Sequence, residues 1–214
     1  MPYEQFCEQL ETGSVVFASC VENTEFASMV RAKGAKLYDY YARNELIVSN
    51  AYATAQGVLQ FLLNETNSMA NKQNVLVSGY GKTGKAICRI LNAVGFNVTV
   101  AVRRQEYISE LSQQKIKAVF YEEIKKAKND FDFVINTVPE TVIDSEILEL
   151  LPEKCILVEV ASKPYGIDIK EAEKRGFYVN IAASLPGKSV PKSAGEFVAE
   201  TVDNIIKEEK LWIK

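Results

Sequence analysis

The sequence predicts an α/β protein: a doubly wound, mostly parallel sheet with helices on both faces, preceded by a small N-terminal α/β segment. Two observations carry this. From Asn74 onward, short apolar runs alternate with stretches of helical periodicity, the pattern of successive βαβ units. The 214 residues, 47% apolar and 25% charged, match an ordinary globular chain with room for one medium domain and a small companion.

Residues 13–20 form a short apolar run bounded by a turn residue and read as a strand. Residues 23–33 repeat Phe26, Met29 and Val30 at helical spacing, with Asn23 or Thr24 as N-cap and Gly34 as stop. Residues 35–41 read as a second strand. A β-α-β piece of this size cannot bury a core alone. It is expected to pack on the rest of the chain or on a second copy, which makes a homodimer or larger homo-oligomer the expectation. Residues 51–67 read as a helix with Ala55, Val58, Leu59, Leu62 and Leu63 on one stripe. Beyond a polar connector, strands are expected at 75–78, 98–102, 118–120, 131–137, 156–161 and 178–181. Helical stretches are expected at 82–94, 105–114, 121–128, 144–150 and 169–175, with a last helix over 193–207. The domain reading is a truncated first domain at 1–55, then the sheet and C-terminal helix at 56–214.

Composition excludes several functions. The chain has no histidine, which removes the commonest general acid/base and zinc ligand. It also removes the Ser-His-Asp and Cys-His arrangements and the histidine base of the usual 2-hydroxyacid dehydrogenase, and no metal site is expected. Cys7, Cys20, Cys88 and Cys155 lie far apart without C-x-x-C spacing, which fits a reduced cytoplasm. A net charge of −3 gives no reason to expect nucleic acid or an acidic membrane as partner. The acidic N-terminus is unlike a signal peptide, and no apolar run is expected to span a bilayer. A soluble, cytoplasmic protein is the expectation.

The segment around residues 74–104 carries the strongest motif. Gly79, Gly81 and Gly84 stand in G-x-G-x-x-G order, with Tyr80, Lys82 and Thr83 between them, after an apolar strand and at the head of an amphipathic helix. That context marks a Rossmann-type dinucleotide site. Gly79 serves the tight turn, Gly81 lets the backbone approach a pyrophosphate, and Gly84 lets helix and strand pack closely. NAD-binding units carry an acid about 20 residues on, for the ribose 2′-hydroxyl. Here that strand ends in Arg103 and Arg104. Guanidinium groups suit a 2′-phosphate, so NADP(H) is the expected cofactor; the bland alternative is a solvated basic turn.

Three further loops fall at the carboxyl edge of the expected sheet, where open α/β sheets bind ligands. They are Asn136-Thr137-Val138-Pro139, then Ala161-Ser162-Lys163-Pro164-Tyr165-Gly166, then residues 182–195. Asn136, Thr137, Val138, Pro139 and Ala161 are candidate cofactor contacts. Lys163, Lys188 and Lys192, with a helix N-terminus nearby, suit a substrate with carboxylates. For any one lysine, plain solvation explains it equally well.

Taken together, the glycine motif, Ile135-Asn136-Thr137-Val138-Pro139, Val160-Ala161-Ser162-Lys163-Pro164, Ala172-Glu173-Lys174-Arg175-Gly176, Leu185-Pro186-Gly187 and Pro191-Lys192-Ser193-Ala194-Gly195 resemble the family of dipicolinate synthase A subunits. Thr54-Ala55-Gln56-Gly57-Val58 is similar to its entry helix. The resemblance covers roughly residues 10–206. It implies an NADP-linked enzyme that dehydrogenates dihydrodipicolinate to dipicolinate during sporulation, with a flavoprotein-like B subunit. Lys163 and Lys192 then become the candidate catalytic residues, as clamps for substrate carboxylates, and Tyr165, Lys163 or water could take the proton. The rival readings are a non-catalytic NADP(H)-binding partner, a redox-sensing protein, or an oxidoreductase on another small carboxylic acid.

Overall fold

The expected alternation is realised in the computed structural model, which describes residues 2–22, 24–126 and 128–211. In chain order the elements are α1 (Tyr3–Glu8), β1 (Val15–Ala18), α2 (Glu25–Ala32), β2 (Lys36–Asp39), α3 (Asn44–Glu65), β3 (Asn74–Ser78), α4 (Lys82–Val94), β4 (Asn97–Val102) and α5 (Gln105–Gln113). There follow β5 (Lys117–Phe120), α6 (Tyr121–Ile124), β6 (Phe133–Asn136), α7 (Ser145–Glu149), β7 (Ile156–Glu159), α8 (Ile169–Lys174), β8 (Val179–Ile181), α9 (Leu185–Ser189) and α10 (Pro191–Glu208). Two units emerge, residues 51–190 in one and residues 1–50 with 191–214 in the other.

The larger unit holds a parallel sheet in the order β5-β4-β3-β6-β7-β8. The chain winds outward from β3 through β4 to β5, then crosses to β6 and winds the other way, so the switch point lies between β3 and β6. Because helices cover both faces, β3 alternates between two cores rather than between core and solvent. Val75 and Val77 pack with Val58, Leu62, Ile87 and Leu91 on one face, while Leu76 packs with Val134, Ile147, Leu148 and Leu157 on the other. The register sets Ser78 beside Asn136, and Asn136 beside Glu159. Three polar residues therefore end three neighbouring strands side by side.

The smaller unit pairs β1 with β2 in parallel. It buries Cys7, Val16, Val30 and Ala35 with help from Phe6, Phe26 and Met29. Thr24 caps α2 by accepting from the Ala27 amide at 3.2 Å; the alternative cap, Asn23, lies outside the described residues. The last helix, expected with the sheet domain, belongs to this unit. Arg43 donates to both carboxylate oxygens of Glu208 at 2.8 and 2.9 Å, and Tyr38 donates to Glu209 at 3.0 Å. The boundary expected near residue 55 accordingly falls after Asn50, inside α3.

Other departures are local. The expected strand 35–41 stops at Asp39, whose carboxylate accepts from the amides of Tyr41, Cys20 and Val21 and turns the chain into a 3-10 segment. α3 begins seven residues before the expected start at Ala51. It also reverses the expectation that no run could span a bilayer, being by length (22 residues) and hydropathy (1.3) apolar enough to do so. A core helix meets the same measures, and in α3 Ala55, Val58 and Leu62 are completely buried. α1 and α9 stand where no helix was expected, and the helix expected over 121–128 is only Tyr121–Ile124, with Ala127 outside the described residues.

Candidate functional site: the carboxyl edge of the sheet

The turn from β3 into α4 uses its three glycines for three physical reasons. Gly79 has φ +95°, and a Cβ there would lie 2.6 Å from Val138 Cγ2 and 2.7 Å from Thr137 Oγ1, so the position is closed to a side chain on both counts. A Cβ on Gly84 would run into the Gly79 carbonyl oxygen, which is how α4 comes close to the strand. Gly81 differs. Its φ is an ordinary −78°, and a Cβ would meet nothing within 4 Å. Nothing in the protein requires glycine there, whereas a phosphate approaching the backbone does. No side chain caps α4, so the first-turn amides of Lys82, Thr83 and Gly84 are available to an anion. The residues present thus fit a dinucleotide pyrophosphate.

Beside this turn, Gly79, Tyr80, Gly81, Val102, Arg103, Arg104, Tyr107, Tyr121 and Val138 line one cleft. The Tyr80 side chain is engaged by protein partners. Its ring is buried, its hydroxyl accepts from Gln114 at 3.2 Å, and the Lys85 ammonium, paired to Glu110 at 2.9 Å, lies 4.8 Å from its ring centre. Burial raises the Tyr80 hydroxyl above its ordinary value. Arg103 donates to Glu140 at 2.9 Å and Arg104 to Glu106 at 3.2 Å. Both guanidinium groups are more than half exposed, so these pairs are weak and open to exchange for a phosphate. A second cleft of about 360 Å³ shares Val102, Arg103 and Tyr121 and adds Phe120, Lys125, Val142 and Asp144. There Lys125 is held by Asp144 at 2.7 Å and Glu146 at 2.8 Å, which raises its pKa.

On the other side of the turn the polar groups are buried and spent on one another. The Tyr121 hydroxyl lies 2.8 Å from Ser78 Oγ, which donates to Asn136 Oδ1 at 3.0 Å. Asn136 Nδ2 donates to the Val138 carbonyl at 2.9 Å and to Glu159 Oε1 at 2.7 Å. Glu159 also accepts from the amides of Ala161, Gly166 and Ile167, all at 2.9 Å. Burial lifts the Tyr121 hydroxyl above its ordinary value. Thr137 donates its hydroxyl to the Ser78 carbonyl at 2.8 Å.

The expected site residues therefore separate into groups. Gly79, Tyr80, Gly81, Arg103, Arg104 and Val138 share a cleft wall; Lys82, Thr83 and Gly84 form the first turn of α4. The side chains of Asn136 and Thr137 and the amide of Ala161 are engaged with protein partners and shape the edge rather than face outward, and Pro139 is exposed beside them. Lys163 stands exposed in the loop after β7, ahead of a cis peptide bond to Pro164. That loop is wedged in place by Gly166, where a Cβ would meet the Val138 and Glu140 carbonyls. Tyr165 (φ 71°) and Ser184 (φ 59°) hold left-handed conformations that glycine adopts more easily. Lys192 is the second residue of α10 in the other unit, 91% exposed and 3.9 Å from Glu196. Ser78, Tyr121, Glu140 and Glu159 escaped the sequence reading. Of these only Glu159 left a signal, a lone acid inside the apolar run Ile156-Leu157-Val158-Glu159-Val160-Ala161.

Comparison with known proteins agrees with this geometry. The A subunit of dipicolinate synthase from Bacillus subtilis (strain 168) is 28% identical over 90% of this chain, which spans 65% of that protein's length. The crystal structure of the dipicolinate synthase A subunit from Bacillus halodurans superposes with a TM-score of 0.86 at 25% identity, covering 96% of this chain and 70% of that one. The corresponding crystal structure from Bacillus subtilis gives 0.85 at 26% identity, covering 97% and 69%. The resemblance read from the motifs thus extends along nearly the whole chain and to its backbone. The family model for the NAD binding domain of D-isomer specific 2-hydroxyacid dehydrogenases matches residues 42–163, more than half of the sequence. With that match over the glycine turn, the arginine strand and the Asn136–Glu159 edge, the chain belongs to the D-isomer specific 2-hydroxyacid dehydrogenase NAD-binding domain family.

Proposed function

We propose that the chain is an NADP(H)-dependent oxidoreductase that dehydrogenates dihydrodipicolinate, a small cyclic dicarboxylate, to dipicolinate. The observation that carries the cofactor is Gly81, a glycine with no role in the fold, next to a strand that ends in two arginines. Similarity to the A subunits of dipicolinate synthases supports the substrate. A bound nicotinamide would supply the hydride acceptor for this chemistry. The chain's own groups then have a simple task. The amides of Lys82, Thr83 and Gly84 hold the pyrophosphate, and Arg103 and Arg104 exchange Glu140 and Glu106 for a 2′-phosphate. Lys163 is the candidate for a substrate carboxylate. With no histidine in the sequence, and with aromatisation supplying the driving force, positioning matters more than a strong base. The same reading makes the protein cytoplasmic, homo-oligomeric and a partner for a flavoprotein-like B subunit.

The test is steady-state turnover of enzymatically generated dihydrodipicolinate with NADP+, with and without a B subunit. Turnover is expected, and Lys163→Ala should raise KM by roughly tenfold or more, the worth of a charge-assisted hydrogen bond. A wild type inactive under both conditions would overturn the enzyme reading and leave an NADP(H)-binding protein.

A further inference from the structure

Glu159 is a buried charge for which the described residues offer no cation. Its side chain is 1% exposed at the end of β7. Oε1 accepts from Asn136 Nδ2 at 2.7 Å and from the Ala161 amide at 2.9 Å. Oε2 accepts from the amides of Gly166 and Ile167, both at 2.9 Å. All four partners are donors, which leaves no acceptor for a carboxyl proton, so the group is a carboxylate. Closing the loop after β7 accounts for those bonds, because only a group with two acceptor oxygens can take four donors there. It does not cancel the charge. Buried carboxylates are normally paired with a cation, and this one sits at the sheet's ligand-binding edge in a medium that screens poorly.

Topology says which part of a dinucleotide would feel it. The glycine turn after β3 takes the pyrophosphate, and Arg103 and Arg104, after β4, draw the phosphate-bearing ribose to one side. The order β4-β3-β6-β7 then leaves the other half of the ligand to β6 and β7, which end in Asn136 and Glu159. That half is the nicotinamide, positively charged when oxidised and neutral when reduced. We infer that Glu159, besides closing its loop, biases the bound cofactor toward the oxidised form. The inference rests on the dinucleotide reading above. Asn136, by donating to Glu159, steadies the same charge.

The test measures dissociation constants of NADP+ and NADPH on the wild type, Glu159→Gln and Glu159→Asp by fluorescence and calorimetric titration. A merely structural role weakens both forms alike and leaves their ratio unchanged. A charge role raises Kd(NADP+)/Kd(NADPH) in Glu159→Gln by about five- to tenfold, as expected for a unit charge acting over several ångströms of protein. Glu159→Asp, which keeps the charge, should stay within about twofold of the wild-type ratio. An unchanged ratio in Glu159→Gln overturns the inference while leaving the dinucleotide reading intact; a wild type that binds neither form overturns both. Should Glu159→Gln not fold, the wild type decides. NADP+ should bind at least as tightly as NADPH, and the ratio should persist from about 0.05 to about 0.5 M salt, because a buried charge escapes the screening that exposed ones suffer. NADPH binding more than about tenfold tighter, or a ratio that collapses with salt, contradicts it.

Discussion

The two sides of the β3–α4 turn solve opposite problems. Toward β6 and β7, Ser78, Asn136 and Glu159 are at most 1% exposed and bonded to one another and to backbone. Toward β4, Arg103 and Arg104 are exposed and paired with the surface acids Glu140 and Glu106, Arg104 also lying over the Tyr107 ring. The first side is over-determined and sets the shape of the edge. The second is under-determined and free to change partners, which suits a place where a ligand charge must be recognised. Substitutions on the buried side should therefore act on stability first, and substitutions on the exposed side on affinity alone.

The largest effect is expected at Glu159. Glu159→Ala would strand the buried amides of Gly166 and Ile167, the part-buried amide of Ala161 and the Asn136 side chain, a loss of about 3–5 kcal/mol in folding stability by chemical denaturation. A loss below about 1 kcal/mol would mean the loop does not depend on this carboxylate. Next comes Gly84→Ala, whose methyl would be driven into the Gly79 carbonyl and should cost about 1–3 kcal/mol. Gly81→Ala sharpens the comparison, because it sits on the boundary between the two sides. With open space around its Cβ and an ordinary φ, stability should hold to within about 0.5 kcal/mol. NADPH affinity should still fall by about tenfold or more as the methyl meets the phosphate. Loss of stability without loss of affinity would show that Gly81 serves the fold after all.

Much of the buried side was legible in the sequence as fold and illegible as chemistry. α4 runs over the expected residues because its apolar stripe is buried, Ile87 and Leu91 included, and Gly95, at φ +103°, closes it; a helix with a clear stripe and a glycine stop announces itself. The start of α3 did not. Leu46-Ile47-Val48 is an apolar run with two β-branched residues, and tertiary burial, with Leu46 at 1% exposure, favours the helix there. The helix α9 hid in a stretch with Pro186 and Gly187, although proline is at ease in a first helical turn. Glu159 hid because one acid in an apolar strand leaves the period unchanged, and its four donors come from Asn136 and from a loop beyond the strand. The return of α10 to the N-terminal unit depends on pairs such as Arg43–Glu208, far apart in sequence, and no local pattern reports them. The arginines were visible as candidates because charge at a strand end needs no tertiary partner to be noticed.

The central claim is that the exposed side reads a 2′-phosphate. Its most direct test is titration of NADPH and NADH, followed by fluorescence, on the wild type and Arg103→Ala. NADPH should bind the wild type at least about tenfold more tightly than NADH, and Arg103→Ala should bring the two within about threefold by weakening NADPH alone. Tighter binding of NADH by the wild type would contradict the account, and would point to Glu140 holding a ribose hydroxyl where Arg103 was expected to hold a phosphate.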